Sequence, residues 1–171
     1  MTGGQRVTVE TAAGMRALGR RLASLLRAGD LVILSGPLGA GKTTLVQGIG
    51  EGLGVRGPVT SPTFVIARIH PSLTGGPDLV HADAYRLTSP AEVDDLDLDA
   101  AMDSSVTVVE WGGGLAEGLA GDRLEVTITP LEATATPGGE PRAVCIAGHG
   151  GRWNAVGDSA FLALSGTPEG L

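Results

Sequence analysis

Four residues set the chemistry open to this chain: Gly36, Gly41, Lys42 and Thr43. They complete the pattern G-x-x-x-x-G-K-[ST] in Gly36-Pro37-Leu38-Gly39-Ala40-Gly41-Lys42-Thr43, a loop that cradles nucleotide phosphates. Its glycines let successive backbone N–H groups turn inward around phosphate oxygens with no Cβ in the way. A helix beginning near Lys42 adds the positive end of its dipole. In such a loop the lysine reaches the β- and γ-phosphates and the threonine hydroxyl holds Mg²⁺. The expected nucleotide-binding set is Gly39, Ala40, Gly41, Lys42, Thr43 and Thr44.

Hydrolysis of a nucleotide also needs acids that hold Mg²⁺ or orient water opposite the loop. In many proteins of this kind the acid ends a neighbouring apolar strand. Glu110 ends Val106-Thr107-Val108-Val109, and Asp83 ends Leu79-Val80-His81-Ala82. Either carboxylate can meet the metal directly or through its waters; the competing reading is an ordinary carboxylate in a turn. Trp111 is open to two readings, a core or rim residue or a lid over nucleotide or partner. Thr63 in Ser61-Pro62-Thr63 either follows the γ-phosphate as a switch residue or sits in a proline-stiffened lead into a strand. His70, His81 and His149 show no metal-ligand spacing with one another or with Cys145. They read as structural or surface residues. Cys145, inside Ala143-Val144-Cys145-Ile146-Ala147, reads as a small buried hydrophobe.

The elements that must position these groups follow from hydrophobic pattern. Leu31-Val32-Ile33-Leu34 is a buried strand within Asp30–Ser35, and Thr44–Leu53 continues as a helix. Val7-Thr8-Val9 alternates as a short strand. Met15, Leu18, Leu22, Leu25 and Leu26 repeat at helical spacing, which predicts a helix over Thr11–Ala28 with Thr11 as N-cap and Gly29 as C-cap. Arg16, Arg20, Arg21 and Arg27 decorate it as solvated charges. Further strands are expected over Val65–His70, Leu79–Asp83 and Val106–Glu110, with a connection over Pro71–Asp78. A short helix is expected from Ser89 or Pro90 to Leu98. Leu124–Thr129 and Arg142–Ala147 read as late antiparallel strands, Trp153–Leu164 as a short helix and Ser165–Leu171 as a frayed tail. The pattern predicts a phosphate-loop α/β fold: a mixed sheet flanked by helices, in one domain over residues 1–165 with a tail over 166–171.

Composition narrows the function. At 171 residues and 42% hydrophobic, the chain can bury one real core. The net charge of −7 argues against a large nucleic-acid footprint, which needs many cations facing phosphates. Glu92 to Asp103 holds six acids and no Lys or Arg. That stretch reads as a solvated face, or as a docking surface for a basic partner. No apolar run approaches a membrane span and no secretory leader opens the chain. One cysteine cannot close an internal disulfide, so the expected compartment is the cytoplasm.

Among phosphate-loop proteins, a guanine-specific GTPase would carry an N-K-x-D motif, and this sequence has none; ATP is therefore favoured. A small-molecule kinase usually brings an arginine-rich lid, yet only Arg123, Arg142 and Arg152 follow position 90. Three readings stand: an ATPase component of a larger complex, a free-standing small-molecule kinase, and a nucleotide-gated binding module.

Four ordered pieces then converge. The loop Gly36–Thr43, Ser61-Pro62-Thr63-Phe64, His81-Ala82-Asp83-Ala84-Tyr85-Arg86 and Val109-Glu110-Trp111 together resemble the TsaE family, the small ATPase of the bacterial tRNA threonylcarbamoyladenosine system. The likeness covers roughly residues 10 to 130 and is weak beyond. It implies ATP and Mg²⁺ as cofactors and weak hydrolysis alone. It implies a ligase subunit and its inactive paralogue as partners. That complex modifies the adenosine beside the anticodon of tRNAs reading ANN codons, so tRNA is met only indirectly, and hydrolysis supports repeated turnover. By the same resemblance Lys42 and Thr43 carry phosphate and Mg²⁺ contacts, Glu110 is the Mg²⁺-associated acid, and Asp83 lies near the γ-phosphate as a water-positioning group. Thr63 and Trp111 match positions near nucleotide or partner, Thr11 lies where the first helix approaches adenine, and Arg142 corresponds to a late basic residue near the nucleotide. The family often carries larger apolar residues where this chain has Ala82 and Ala84.

Overall fold

A computed structural model describes residues 5–37, 39, 41–57, 59, 67–83, 102–110, 121–131, 141–156 and 164. Seven strands join in one sheet: β1 (Gln5–Val9), β2 (Leu31–Ser35), β3 (Ala67–His70), β4 (Asp78–Asp83), β5 (Ser105–Glu110), β6 (Arg123–Pro130) and β7 (Arg142–His149). Their order is β1-β7-β6-β2-β5-β4-β3. The four central strands β6, β2, β5 and β4 run parallel. Antiparallel pairs complete the sheet, β6 with β7 and β7 with β1 on one side, β4 with β3 on the other. Helices α1 (Ala12–Ala23) and α2 (Lys42–Leu53), with a short α3 (Gly151–Val156), complete the described elements. The mixed α/β sheet with flanking helices is the fold class expected from the sequence.

Burial explains why the central strands read as unbroken apolar runs. All six residues of β5 and the first four of β2 are buried, because a central parallel strand is covered on both faces. Val32, Leu34, Leu79, Val106, Val108, Leu124 and Val126 join Leu18, Leu22, Leu45 and Ile49 of the two long helices in one core. At roughly 1.5–3 kcal/mol per buried aliphatic side chain, this cluster is the main favourable term of the fold.

Helix α1 starts where expected. Thr11 takes an extended backbone and its hydroxyl accepts from Gly14 N at 3.0 Å, a cap worth about 1 kcal/mol. The helix stops at Ala23, earlier than the expected Ala28. Ser24 N, Leu25 N and Leu26 N bond to the carbonyls three residues back, Arg21, Leu22 and Ala23, so the α-helix tightens into a 3₁₀-like turn. Leu26 stays buried and Leu25 packs against the core, which is why helical spacing continued in the sequence. Gly29 does adopt a left-handed φ of 94°, but in the turn into β2.

Two helices meet through glycine. A Cβ at Gly48 of α2 would overlap the Arg16 carbonyl oxygen of α1 and come within 2.9 Å of its carbon. A Cβ at Gly52 would stand 2.5 Å from Ala23 Cβ, and one at Gly19 would stand 2.8 Å from Ile49 N. The backbones therefore touch, which fixes the start of α1 beside the start of α2.

The carboxy-terminal strands also close back on the core. Trp153 of α3 is fully buried, and its neighbour Arg152 donates through Nε and Nη2 to both oxygens of Asp30, at 3.0 and 2.9 Å. Asp30 Oδ2 further accepts from Arg27 N at 2.8 Å, so the turn before β2 is tied to α3. Cys145 is exposed, a correction to the buried reading. Its register partners are Arg6 on β1 and Thr127 on β6, both exposed, so the pleat turns this position outward while Val144 and Ile146 turn inward. Among the described residues, no helix is long and apolar enough to cross a membrane. Ala40, Ser61, Thr63, Ala84, Tyr85, Arg86, Trp111, the acids Glu92 to Asp99, the expected helix over 89–98 and the tail over 165–171 lie outside the described residues.

Candidate functional site

The candidate site lies at the carboxyl ends of the central parallel strands, the usual ligand position in open α/β sheets. Strand β2 ends at Ser35 and runs straight into Gly36, and α2 begins at Lys42. The phosphate loop thus sits between strand and helix, as its flanks require. Gly39 has φ of 77° and Gly41 of 105°, a region that disfavours any Cβ. Gly41 is the N-cap of α2 and supplies no side-chain bond, so the first N–H groups of the helix are not capped from within it. Uncapped N–H groups at a helix start suit an anion.

Lys42 is buried to 5% exposure. Its ammonium donates to the carbonyls of Gly36 and Pro37, at 2.7 and 2.9 Å. Burial pulls its pKa below the usual lysine value, while the carboxylates of Glu110 and Asp83 push it back up. The structure therefore brings Lys42, Asp83 and Glu110 into one electrostatic neighbourhood. Register explains how. Asp83 on β4 and Glu110 on β5 are direct partners, and Glu110 is also the partner of Leu34 on β2, two positions before the loop.

Glu110 is buried at 3% exposure, and its Oε2 accepts from His81 Nε2 at 2.5 Å. Sequence reasoning missed this contact and left His81 among the structural residues. The available signal was H-x-D ending one strand and Glu ending another; spacing along the chain carried none.

On the other flank, Arg142 at the start of β7 donates through Nη1 to Gly39 O at 2.8 Å. Thr11, Met15, Gly41, Thr44 and Arg142 border a cavity of about 230 Å³ beside the loop. The starts of α1 and β7 are thus gathered at the phosphate loop. Thr43 lies in the first turn of α2.

Mg²⁺ prefers oxygen donors and keeps waters and phosphate oxygens in its shell. The Thr43 hydroxyl and the Glu110 and Asp83 carboxylates are donors of that kind. Among the described residues no three His, Cys, Asp or Glu side chains converge as a complete metal cage.

The sequence carries the decisive comparison. Residues 9–136 match the family model described as threonylcarbamoyl adenosine biosynthesis protein TsaE. The chain belongs to the TsaE family. The tRNA threonylcarbamoyladenosine biosynthesis protein TsaE of Streptomyces coelicolor is 61% identical over 150 residues, covering 87% of this chain and 99% of that one. The protein of the same description from Bacillus subtilis is 39% identical over 114 residues, 66% of this chain and 70% of the other. The crystal structure of Bacillus subtilis YdiB superposes with a TM-score of 0.71 at 26% identity, over 96% of both chains. The fold is therefore shared with a solved structure, and the TsaE match spans every described strand except β1 and β7, apart from the last residue of β1.

Proposed function

We propose that this TsaE-family chain binds ATP with Mg²⁺ at the 36–43 loop and hydrolyses it as the ATPase component of threonylcarbamoyladenosine formation on tRNA. The observation that carries the reading is the gathering of a buried lysine and two strand-end carboxylates beneath a complete phosphate loop. Lys42 exchanges its two carbonyl acceptors for phosphate oxygens. The helix-start N–H groups and the loop backbone hold the phosphates. Thr43 and Glu110 would hold Mg²⁺, and Asp83 orients the attacking water. The bound ion would neutralise charge between the phosphates. Thr11 and Arg142 border the nucleotide on the α1 side. The ligase subunit and its inactive paralogue are the proposed partners, the cytoplasm is the proposed compartment, and the tRNA is reached only through the complex.

The test is ATP turnover by the purified chain with Mg²⁺, alone and with both partner subunits. Slow turnover that rises with the partners is expected. Lys42→Ala removes a charge aimed at the phosphates, and such contacts are worth about 3–4 kcal/mol, a 10²–10³-fold loss. Wild-type turnover in Lys42→Ala would remove the site assignment. Indifference to the partners would favour a free-standing kinase and redirect the search to phosphate acceptors.

A further inference from the structure

His81 is fully buried, and so is nearly all of Glu110. A carboxylate only accepts, so the ring donates from Nε2 to Glu110 Oε2 over 2.5 Å. That leaves Nδ1 with no part in the contact. Nδ1 is buried and finds no hydrogen-bond partner among the described residues. The ring therefore gives up one bond in order to aim the other at the carboxylate. Stability alone is a poor reason for this arrangement. Burying a carboxylate is costly, and apolar pairs of similar volume are commonly as stable or more so. An unmade bond at Nδ1 adds to the cost.

Register supplies the other half of the argument. His81 is the partner of Val108, and Asp83 is the partner of Glu110. Alternation puts His81 and Asp83 on one face of β4, and Val108 and Glu110 on the matching face of β5. One strand thus presents both an acid beside Glu110 and a donor that grips it.

We propose that His81 is a positioning residue for Glu110: its N–H fixes one carboxylate oxygen, so the other is held ready for Mg²⁺. This inference rests on the ATP and Mg²⁺ reading above. Hydrogen bonds to ligating carboxylates act in this way, and losing one typically costs about 10–100-fold in metal affinity.

The experiment uses the full chain and a fluorescent ATP analogue. Binding is measured in EDTA and across a Mg²⁺ titration, with thermal unfolding recorded alongside. His81→Leu keeps the space apolar. In His81→Gln the amide N–H reaches the place of Nε2, whereas in His81→Asn it falls short. The expected result is unchanged binding in EDTA for all three. The Mg²⁺ concentration for half-maximal effect should rise about 10–100-fold in His81→Leu and His81→Asn, and return towards wild type in His81→Gln. A folded His81→Leu with wild-type Mg²⁺ dependence overturns the proposal. So does a His81→Gln no better than His81→Asn, a comparison that still decides the matter if His81→Leu does not fold. Nucleotide binding by the wild type that ignores Mg²⁺ would overturn the metal reading itself, and this inference with it.

Discussion

Gly48→Ala separates helix propensity from close packing, because the two predict opposite signs. Alanine is preferred over glycine inside a helix by about 1 kcal/mol, so propensity alone makes the variant more stable. The structure predicts the reverse. The new Cβ would overlap the Arg16 carbonyl oxygen and stand 2.9 Å from its carbon and 3.0 Å from its Cα. All three atoms belong to helix backbone, so no side chain can rotate away. Relief requires α1 to move off α2 as a body. Overpacking of this kind costs typically 1–3 kcal/mol, and backbone against backbone belongs at the upper end. Net of propensity, a loss of about 2 kcal/mol remains, which lowers Tm by roughly 4–8 °C in a chain of this length. Moving α1 also moves Thr11 and Met15 away from Gly41 and Thr44 across the cavity, so affinity for an ATP analogue should fall with stability. Gly151→Ala is the control. Gly151 opens α3 with nothing within 4 Å of its would-be Cβ, and should be neutral or slightly stabilising. Thermal unfolding of both variants decides. A Tm for Gly48→Ala at or above wild type would refute the claim that the helix backbones touch.

Two further outcomes follow from the same structure. Asp30→Ala leaves the Arg152 guanidinium, only 12% exposed, without its bidentate partner; breaking a buried pair in this way costs about 3–5 kcal/mol. A chemical-denaturation loss below about 1 kcal/mol would put the pair among surface bridges instead. His70 is held below the ordinary histidine pKa by burial first and by the neighbouring His81 second, so the unfolded chain takes up a proton before the folded one does. Its stabilising contribution is present above about pH 6.5 and is lost as the pH falls towards the folded value. Replacing it by Leu should flatten the fall in stability between about pH 7 and pH 5, and an unchanged slope in thermal melts would show that His70 does not carry it.

What the sequence made legible was chemistry confined to a few neighbouring residues. The loop, its strand and its helix lie within 31–53, and each flank supports the others. Strand-end acids were visible because β4 and β5 are buried along most or all of their length and their apolar runs end abruptly at Asp83 and Glu110. Legibility failed where a long-range partner decides the outcome. The Ala143–Ala147 run has no internal alternation, so nothing in it says which residue faces out. Pairing with β1 and β6 sets that phase and turns Cys145 to the surface. The end of α1 was hidden for a related reason. Leu25 and Leu26 keep their apolar contacts in a 3₁₀-like turn, so hydrophobic period continues past the point where the α-helix stops.

His81 shows most plainly why a site can be half readable. Its partner lies 29 positions away and arrives only through the parallel pairing of β4 with β5. A histidine inside an apolar strand most often belongs to the core, and burial bears that expectation out. Burial and function are not alternatives here, however. The Glu110 carboxylate is almost fully enclosed, so a side chain that directs it needs to be buried itself and to carry a donor. On the strand beside it, His81 meets that requirement with an aimed N–H, and Asp83, also an acceptor when ionised, does not. The same logic applies to Arg142. Only after β7 has folded back beside β6 does its guanidinium reach Gly39, 103 positions earlier in the chain. The local motif supplies the phosphate-binding backbone; the sheet supplies the side chains that aim at it.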